Sequence, residues 1–478
     1  MNLIGNPWIP VLFNSGDTKL VSLKELYEQS ENISDLVLNP PQRISVMRLL
    51  ICITQAALDG PEDETDWKDC KNRIVDESIK YLEERKDKFE LFGDKPFLQI
   101  KDLEAEKHAV IDLLDFSKAS GNNTVLFDHN AVPEGRDNKN WQKALALLTS
   151  LNFSTTGKVG QAKWQNNTFN ESTYAAPCIK KSHTFIFGKT ILETIFLNLL
   201  PKSIIKTLPN SNFGQPVWDN FPKSPNDVSA FENASKTYLG RLVPLSRFIK
   251  LDNNPEITKC IFGPTCKELK FEYLPAFLEP TCTVLKSKKN ELFYMRISSD
   301  KHIWRDFGAV FSLDQTGTQT LKNVKKIVCK KENINIWIGG LETGAQAAKI
   351  KDTVEWNFFI PVSQLGETEL NKYKEGIGFA NNAEFSLKNA VKTFCKELKM
   401  ESSLNSKAVP FFWQRLDNKY ELLLKIANDV TKPMDEWEKL LYKTMLWAYE
   451  FACPKETPRQ IQAYVIGKKY LTIKKKKS

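Results

Sequence analysis

Downstream of Pro361 the chain loses every strand-like alternation and carries apolar residues only at helical spacing. Val391, Phe394, Cys395 and Leu398 share one helical face, and so do Phe412, Leu416, Tyr420, Leu423 and Ala427. Trp437, Leu441, Thr444 and Ala448 make a third stripe. Thr457-Pro458 has the cap and first-turn chemistry to open a fourth helix, with Ile461, Tyr464 and Val465 expected inside. Stripes of this kind bury themselves only against one another, so the spacing predicts a four-helix bundle over 363–478. Upstream, strand and helix signals alternate. The expected fold class is α+β: a mixed α/β N-terminal domain over 1–362 followed by the bundle.

The N-terminal part reads as scaffold. Trp8 to Phe13 is an apolar strand, Asn14 to Asp17 a turn, and Lys19 to Val21 a second strand. Ser22 and Glu25 have capping-box spacing. Pro40-Pro41 begins a helix whose Ile44, Met47, Ile51 and Leu58 lie near one face, with Gly60 as a stop signal. Further helices are expected from Trp141 to Leu151 and from Ile191 to Leu200. The segment Tyr238 to Arg247 leads into a strand, Phe248 to Leu251.

Four stretches break this regularity. Ile334 to Ile338 looks like a short buried strand that ends at Gly339-Gly340, and Gly344 and Gln346 follow. Three glycines in six residues permit a sharp turn. The amide of Gln346 carries a donor and an acceptor on one plane, suited to a base edge or to the gap left by an opened pair. A plain turn is the competing reading. The polar stretch 119–137, with Phe127, Asp128 and His129 at its centre, is too irregular for an element, and loops of that length are commonly functional or disordered. Local hydrogen bonding by Asp128 and His129 is favoured over catalysis, since no nucleophile is placed nearby. Ser154 to Gln161 is a glycine loop that matches neither nucleotide-binding pattern, yet Gly157 and Gly160 allow close backbone approach and Lys158 adds charge. Lys286 to Asn290 forms the tip of an expected hairpin between Thr281–Leu285 and Leu292–Ile297, a positive knob suited to phosphate or simply solvated.

Composition narrows the function. The net charge of +9, from 67 basic and 58 acidic residues, is compatible with nucleic acid. No apolar run reaches the roughly 18 residues of a membrane span, and the first residues carry no secretion pattern, so a cytoplasmic protein without membrane partners is expected. Nine scattered cysteines fit a reducing compartment. Cys260, Cys266 and Cys282 lack knuckle spacing, and no metal or cofactor is expected. The four histidines, 108, 129, 183 and 302, are dispersed, and no paired carboxylates or H-E-x-x-H stand out, so no catalytic residue is assigned.

Taken in order, Met1-Asn2-Leu3, Pro7 to Val11, Leu126 to His129, Tyr238 to Leu251, the strand with its Gly pair and Gln346 to Ile350, and the helical C-terminus resemble one family: the large subunit of the type I-E CRISPR surveillance complex, Cascade. No single motif carries the resemblance; the ordered set does.

The resemblance implies a non-catalytic subunit that reads the short motif flanking the target (PAM) through the minor groove. It implies that the subunit wedges the duplex open to start the R-loop and helps recruit the helicase-nuclease. By position it assigns Gly157, Lys158 and Gly160 to the glycine loop, and Gln346 with Ala345 to the wedge. A minor-groove lysine falls at Lys267 or Lys270, and Lys288 and Lys289 belong to a DNA-backbone hairpin. Phe127, Asp128 and His129 match the loop that reaches towards the crRNA and its neighbouring subunit. The implied partners are double-stranded target DNA, the crRNA-bearing backbone, small and 5′-end-binding subunits, and the helicase-nuclease. Two departures, Lys158-Val159 between the glycines and the extra Ala345 before Gln346, leave the motif preference open. The rival readings are a structural assembly subunit without DNA readout and, less favoured, a nuclease.

Overall fold

The computed structural model is α+β, and it describes all residues except 117–137, 171, 209–210, 255–257, 266–268, 270–278, 313–315, 326–331, 345–348, 401–402 and 474–478. The chain divides into two compact units. One comprises Met1–Ser299, Thr316–Ile327 and Ile334–Phe359, and the other Asp300–Gln315, Val328–Asn333 and Ile360–Ser478.

In the first unit the opening strands form a small antiparallel sheet, with Ile9–Phe13 between Thr18–Val21 and Ile33–Leu36. Ser22 caps the short helix Leu23–Glu28 by accepting from the Glu25 amide at 3.1 Å. The helix Pro40–Leu58 is buried along most of its length, because helices Ile74–Glu84 and Asn140–Phe153 both pack on it. Its C-terminus is closed by Asp59 at φ 41°, one residue before the expected Gly60, which instead precedes Pro61. Arg48, on this helix, is fully buried and donates to Glu279 at 2.7 Å and to the carbonyl of Leu242 at 3.1 Å. A buried charge is tolerable only with partners of this quality. The helix expected over Ile191 to Leu200 stops at Leu197. Asn198 ends it, donating its side-chain amide to the carbonyls of Ile186 and Thr194 at 2.7 Å.

The largest correction concerns the Gly pair. The strand does not end there: it runs from Asn333 to Thr343, between His183–Phe187 and Ile350–Pro361 in a three-stranded sheet. Gly339 lies opposite His183. A methyl built on Gly339 would stand 2.4 Å from the Trp337 ring, and one on Gly340 would stand 2.5 Å from the Lys181 carbonyl. Neither glycine adopts positive φ. They are glycines because neighbouring groups approach too closely for a side chain, not because the chain turns. The turn comes later, where the Gly344 amide donates to the Lys349 carbonyl at 2.8 Å.

The second unit contains five C-terminal helices rather than four: Glu367–Glu397, Asn405–Asp417, Tyr420–Asn428, Asp435–Ala452 and Pro458–Lys468. The stripe from Phe412 to Ala427 is split at Asn418 and Lys419 into two helices, both against the long first one. Trp437 donates its indole N–H to the Gly376 carbonyl at 2.9 Å, so a side chain of the fourth helix bonds the backbone of the first. Thr457 caps the last helix as expected. Its inward face is Ala463, Tyr464 and Gly467, whereas Ile461 and Val465 are 48% and 53% exposed. Asp300–Gln315 belongs with these helices: Trp304 donates to Asp417 at 2.7 Å and its carbonyl accepts from the Tyr373 hydroxyl at 2.9 Å. Among the described residues no strand follows Pro361, and no helix is long and apolar enough to cross a membrane.

Candidate nucleic-acid interface

The glycine loop begins where the helix Asn140–Phe153 ends. That helix is largely buried, and three of its last four carbonyls have donors. Ser150 accepts from the Ser154 amide, Leu151 from the Ser246 hydroxyl, and Asn152 from the Cys178 amide. The chain leaving it is therefore held at its base. Arg247, itself buried, donates to the carbonyls of Ser246 and Thr155 and so fixes the first residue of the loop proper. Beyond this anchor Gly157–Lys158 pairs with Ser172–Thr173, and the Thr173 hydroxyl donates to the Gly157 carbonyl at 2.8 Å.

The tip of the loop is open. Gly157 has φ 145°, a region that favours glycine, and among the described residues nothing lies within 4 Å of where its side chain would be. At Gly160 the nearest atom to an added methyl is the Lys107 carbonyl oxygen, at 4.0 Å. Gly157 and Lys158 are exposed. Backbone amides here can come close to another molecule without a side chain in the way.

The loop forms one wall of a cleft of about 530 Å³. Lys107 and His108 also line it, with Phe262 and the hydroxyl-bearing Thr155 and Thr156, and among the described residues no Asp or Glu does. Among the described residues Lys107, His108 and Lys158 form no ion pair. Arg247 lies 5.9 Å from the Phe262 ring centre, and burial alone pushes its pKa down to about 9. A cleft lined by Lys107, His108 and Lys158 and flanked by bare glycine backbone has the chemistry of an anion-binding surface.

Of the site residues expected from sequence, the structure brings Gly157, Lys158 and Gly160 together at this cleft. Lys288 and Lys289 do not line it. They sit exposed at the tip of the hairpin Val284–Lys286/Leu292–Tyr294. The Ser287 hydroxyl holds that turn by accepting from the amides of Lys289 and Glu291 at 3.2 and 3.1 Å. Phe127, Asp128, His129, Lys267, Lys270, Ala345 and Gln346 lie outside the described residues. On either side of 345–348 the Gly344 amide donates to the Lys349 carbonyl at 2.8 Å.

Sequence reading passed over Lys107, His108 and Arg247. The adjacent Lys-His pair was a visible signal, and Arg247 stood inside the Tyr238–Leu251 segment with no role assigned. Phe262 carried no signal at all.

Other candidates fall away. His183 is fully buried and accepts from the Thr281 hydroxyl while donating to the Cys178 carbonyl, and burial pushes its pKa down to about 3, so it is a neutral core residue. Cys260 and Cys282 are buried thiols, Cys260 with its pKa pushed up to about 12 by burial, and Cys266 lies outside the described residues. Among the described residues no group of His, Cys, Asp or Glu is arranged to hold a metal ion.

Comparison with known proteins converges on one family. The model of the CRISPR-associated protein Cse1 family matches residues 2–448. The CRISPR-associated protein CasA/Cse1 of Thermus thermophilus is 28% identical over 325 residues, which cover 65% of this chain and 60% of that curated relative, under two thirds of its length. The solved structure of Thermus thermophilus CasA (Cse1) superposes with a TM-score of 0.78 at 21% identity, covering 98% of both chains. A chain of a CRISPR RNA-guided surveillance complex superposes with a TM-score of 0.80 at 16% identity, covering 98% of this chain and 99% of that one. At such identities the superpositions speak for the fold, while the family model spans nearly the whole sequence. The chain belongs to the CRISPR-associated protein Cse1 family, the family of Cascade large subunits that its sequence resembles.

Proposed function

We propose that this chain is the DNA-recognition subunit of a type I-E Cascade complex. It assembles with the crRNA-bearing subunits, reads the PAM of double-stranded target DNA through the minor groove, and opens the adjacent duplex so that the R-loop can start. Recruitment of the helicase-nuclease follows from the same reading. The observation that carries it is the open glycine loop: Gly157 and Gly160 present bare backbone beside Lys158, in a cleft that no carboxylate lines among the described residues. The minor groove distinguishes few base pairs, so a backbone-and-lysine reader is expected to accept several motifs rather than one.

Opening the first pair costs roughly 1–2 kcal/mol of stacking, which Gln346, between the strands Asn333–Thr343 and Ile350–Pro361 in sequence, is assigned to offset. The subunit acts by binding, and no residue is assigned to bond-making chemistry.

Binding of a PAM library by the reconstituted complex tests the reading: enrichment of a defined motif set supports it. Equal retention of all motifs returns the chain to the rival reading of an assembly subunit. Within the same assay, Gln346→Ala is expected to lower R-loop yield while leaving first duplex contact unchanged, and an unchanged yield removes the wedge role.

A further inference from the structure

Arg247 is 1% exposed, and both of its described acceptors are neutral carbonyls, those of Ser246 and Thr155. Its Nε is buried with no hydrogen-bond partner, and among the described residues no carboxylate neighbours it. Elsewhere in the same unit the buried Arg48 is treated differently, with Glu279 at 2.7 Å. A buried cation without a counter-ion costs several kcal/mol, so its position calls for a source of negative charge.

The end of the helix Asn140–Phe153 supplies part of it. A helix C-terminus is equivalent to roughly half a negative charge, and here its carbonyls are already bonded to neighbouring amides and a hydroxyl. About half a positive charge remains. It lies against the cleft, because Arg247 holds Thr155 and sits beside Phe262, both of which line it. At the mouth stand Lys107, His108 and Lys158, again without acidic partners. Glu106, Asp112 and Asp115 are near in sequence, but none lines the cleft.

We propose that the cleft between the glycine loop and Lys107-His108 is a phosphate subsite, filled by one backbone phosphate of a bound nucleic acid, with Arg247 as a buried cation behind its lining residues Thr155 and Phe262. The phosphate is the counter-charge that the folded protein lacks. Arg247 is a positioning residue: it fixes the Thr155 carbonyl at the base of the loop and biases the cleft towards anions without touching the bases. Its contribution is therefore independent of sequence. The proposal rests on the nucleic-acid reading of the glycine loop, but not on motif discrimination.

The test uses the full-length chain and two short DNA duplexes, one with and one without a PAM selected by the library assay. Arg247→Met keeps the length of the side chain and removes its charge. It is expected to stay folded and to lose about tenfold affinity for both duplexes. Thr155→Asp supplies an internal counter-ion and is expected to raise the melting temperature while losing affinity to a similar extent.

If Arg247→Met melts lower and binds as well as the wild type, Arg247 only caps the helix and the subsite is overturned. Should Arg247→Met fail to fold, Thr155→Asp decides, and wild-type affinity there overturns the proposal. A wild-type chain that binds both duplexes equally, with both variants weakened, supports the subsite while removing motif reading. A wild type that discriminates, with variants that bind as it does, overturns the subsite and leaves motif reading in place.

Discussion

Two glycine-bearing stretches of this chain look alike in sequence and fold to opposite ends. Gly339-Gly340 lies inside a strand, buried, with a ring carbon and a carbonyl oxygen where side chains would be. Gly157 and Gly160 lie on a loop with open space at the same positions. In the first pair the missing side chain serves packing; in the second it serves access. The difference is set by what packs there: the Trp337 ring and the sequence-distant Lys181 carbonyl at one site, open space among the described residues at the other. Glycine content alone therefore identifies neither a turn nor a binding loop.

Substitution should separate the two. Gly340→Ala forces a methyl against the Lys181 carbonyl, a backbone atom that cannot rotate away, and should cost about 3 kcal/mol, read as a fall in the chemical-denaturation midpoint. A loss below 0.5 kcal/mol would mean that the strand relaxes and that the pair is not a packing device.

His183, opposite Gly339, extends the contrast to pH. Burial pushes its pKa down to about 3 from an ordinary 6.5. Between those values the unfolded chain takes up a proton that the folded chain refuses. Its contribution to stability is thus complete above pH 6.5 and falls as pH drops towards 3. From pH 7 to pH 5 the loss should be about 2 kcal/mol, and His183→Gln, although less stable at pH 7, should show a flatter pH profile over that range. Parallel profiles would place the titration elsewhere.

Gly160→Asp is expected to do the reverse of Gly340→Ala. With only the Lys107 carbonyl nearby, at 4.0 Å, stability should stay within about 0.5 kcal/mol of wild type. The added carboxylate in a basic cleft should lower duplex affinity about tenfold and abolish PAM discrimination. Normal discrimination by a folded variant would take Gly160 away from the groove.

The smallest effect is expected at the hairpin tip. Replacing Lys288 and Lys289 by Ala should leave the fold unchanged. If both lysines meet phosphates, the slope of log affinity against log salt should fall by about 0.9 for each, equally with and without a PAM. An unchanged slope would leave them as solvated turn residues.

The sequence by itself determined the fold class. Helical periodicity after Pro361, the Ser22 and Thr457 caps, and the alternating arms around Lys286 to Asn290 are local signals, and each reappears in the structure where it was expected. Such features depend on residues a few positions apart, and the chain cannot alter that spacing by folding. It also showed the glycine loop and the lysine tip as candidates, though not which of them share a surface.

Only tertiary structure decided the rest. The break at Asn418–Lys419, the exposure of Ile461 and Val465, and the continuation of the strand through Gly339-Gly340 each depend on what packs against a face. The cleft is the clearest case. Lys107, Lys158, Arg247 and Phe262 span more than 150 positions of sequence, and no periodicity links them. A basic surface and an unpaired buried cation are properties of assembled neighbours, so they exist only once the chain has folded.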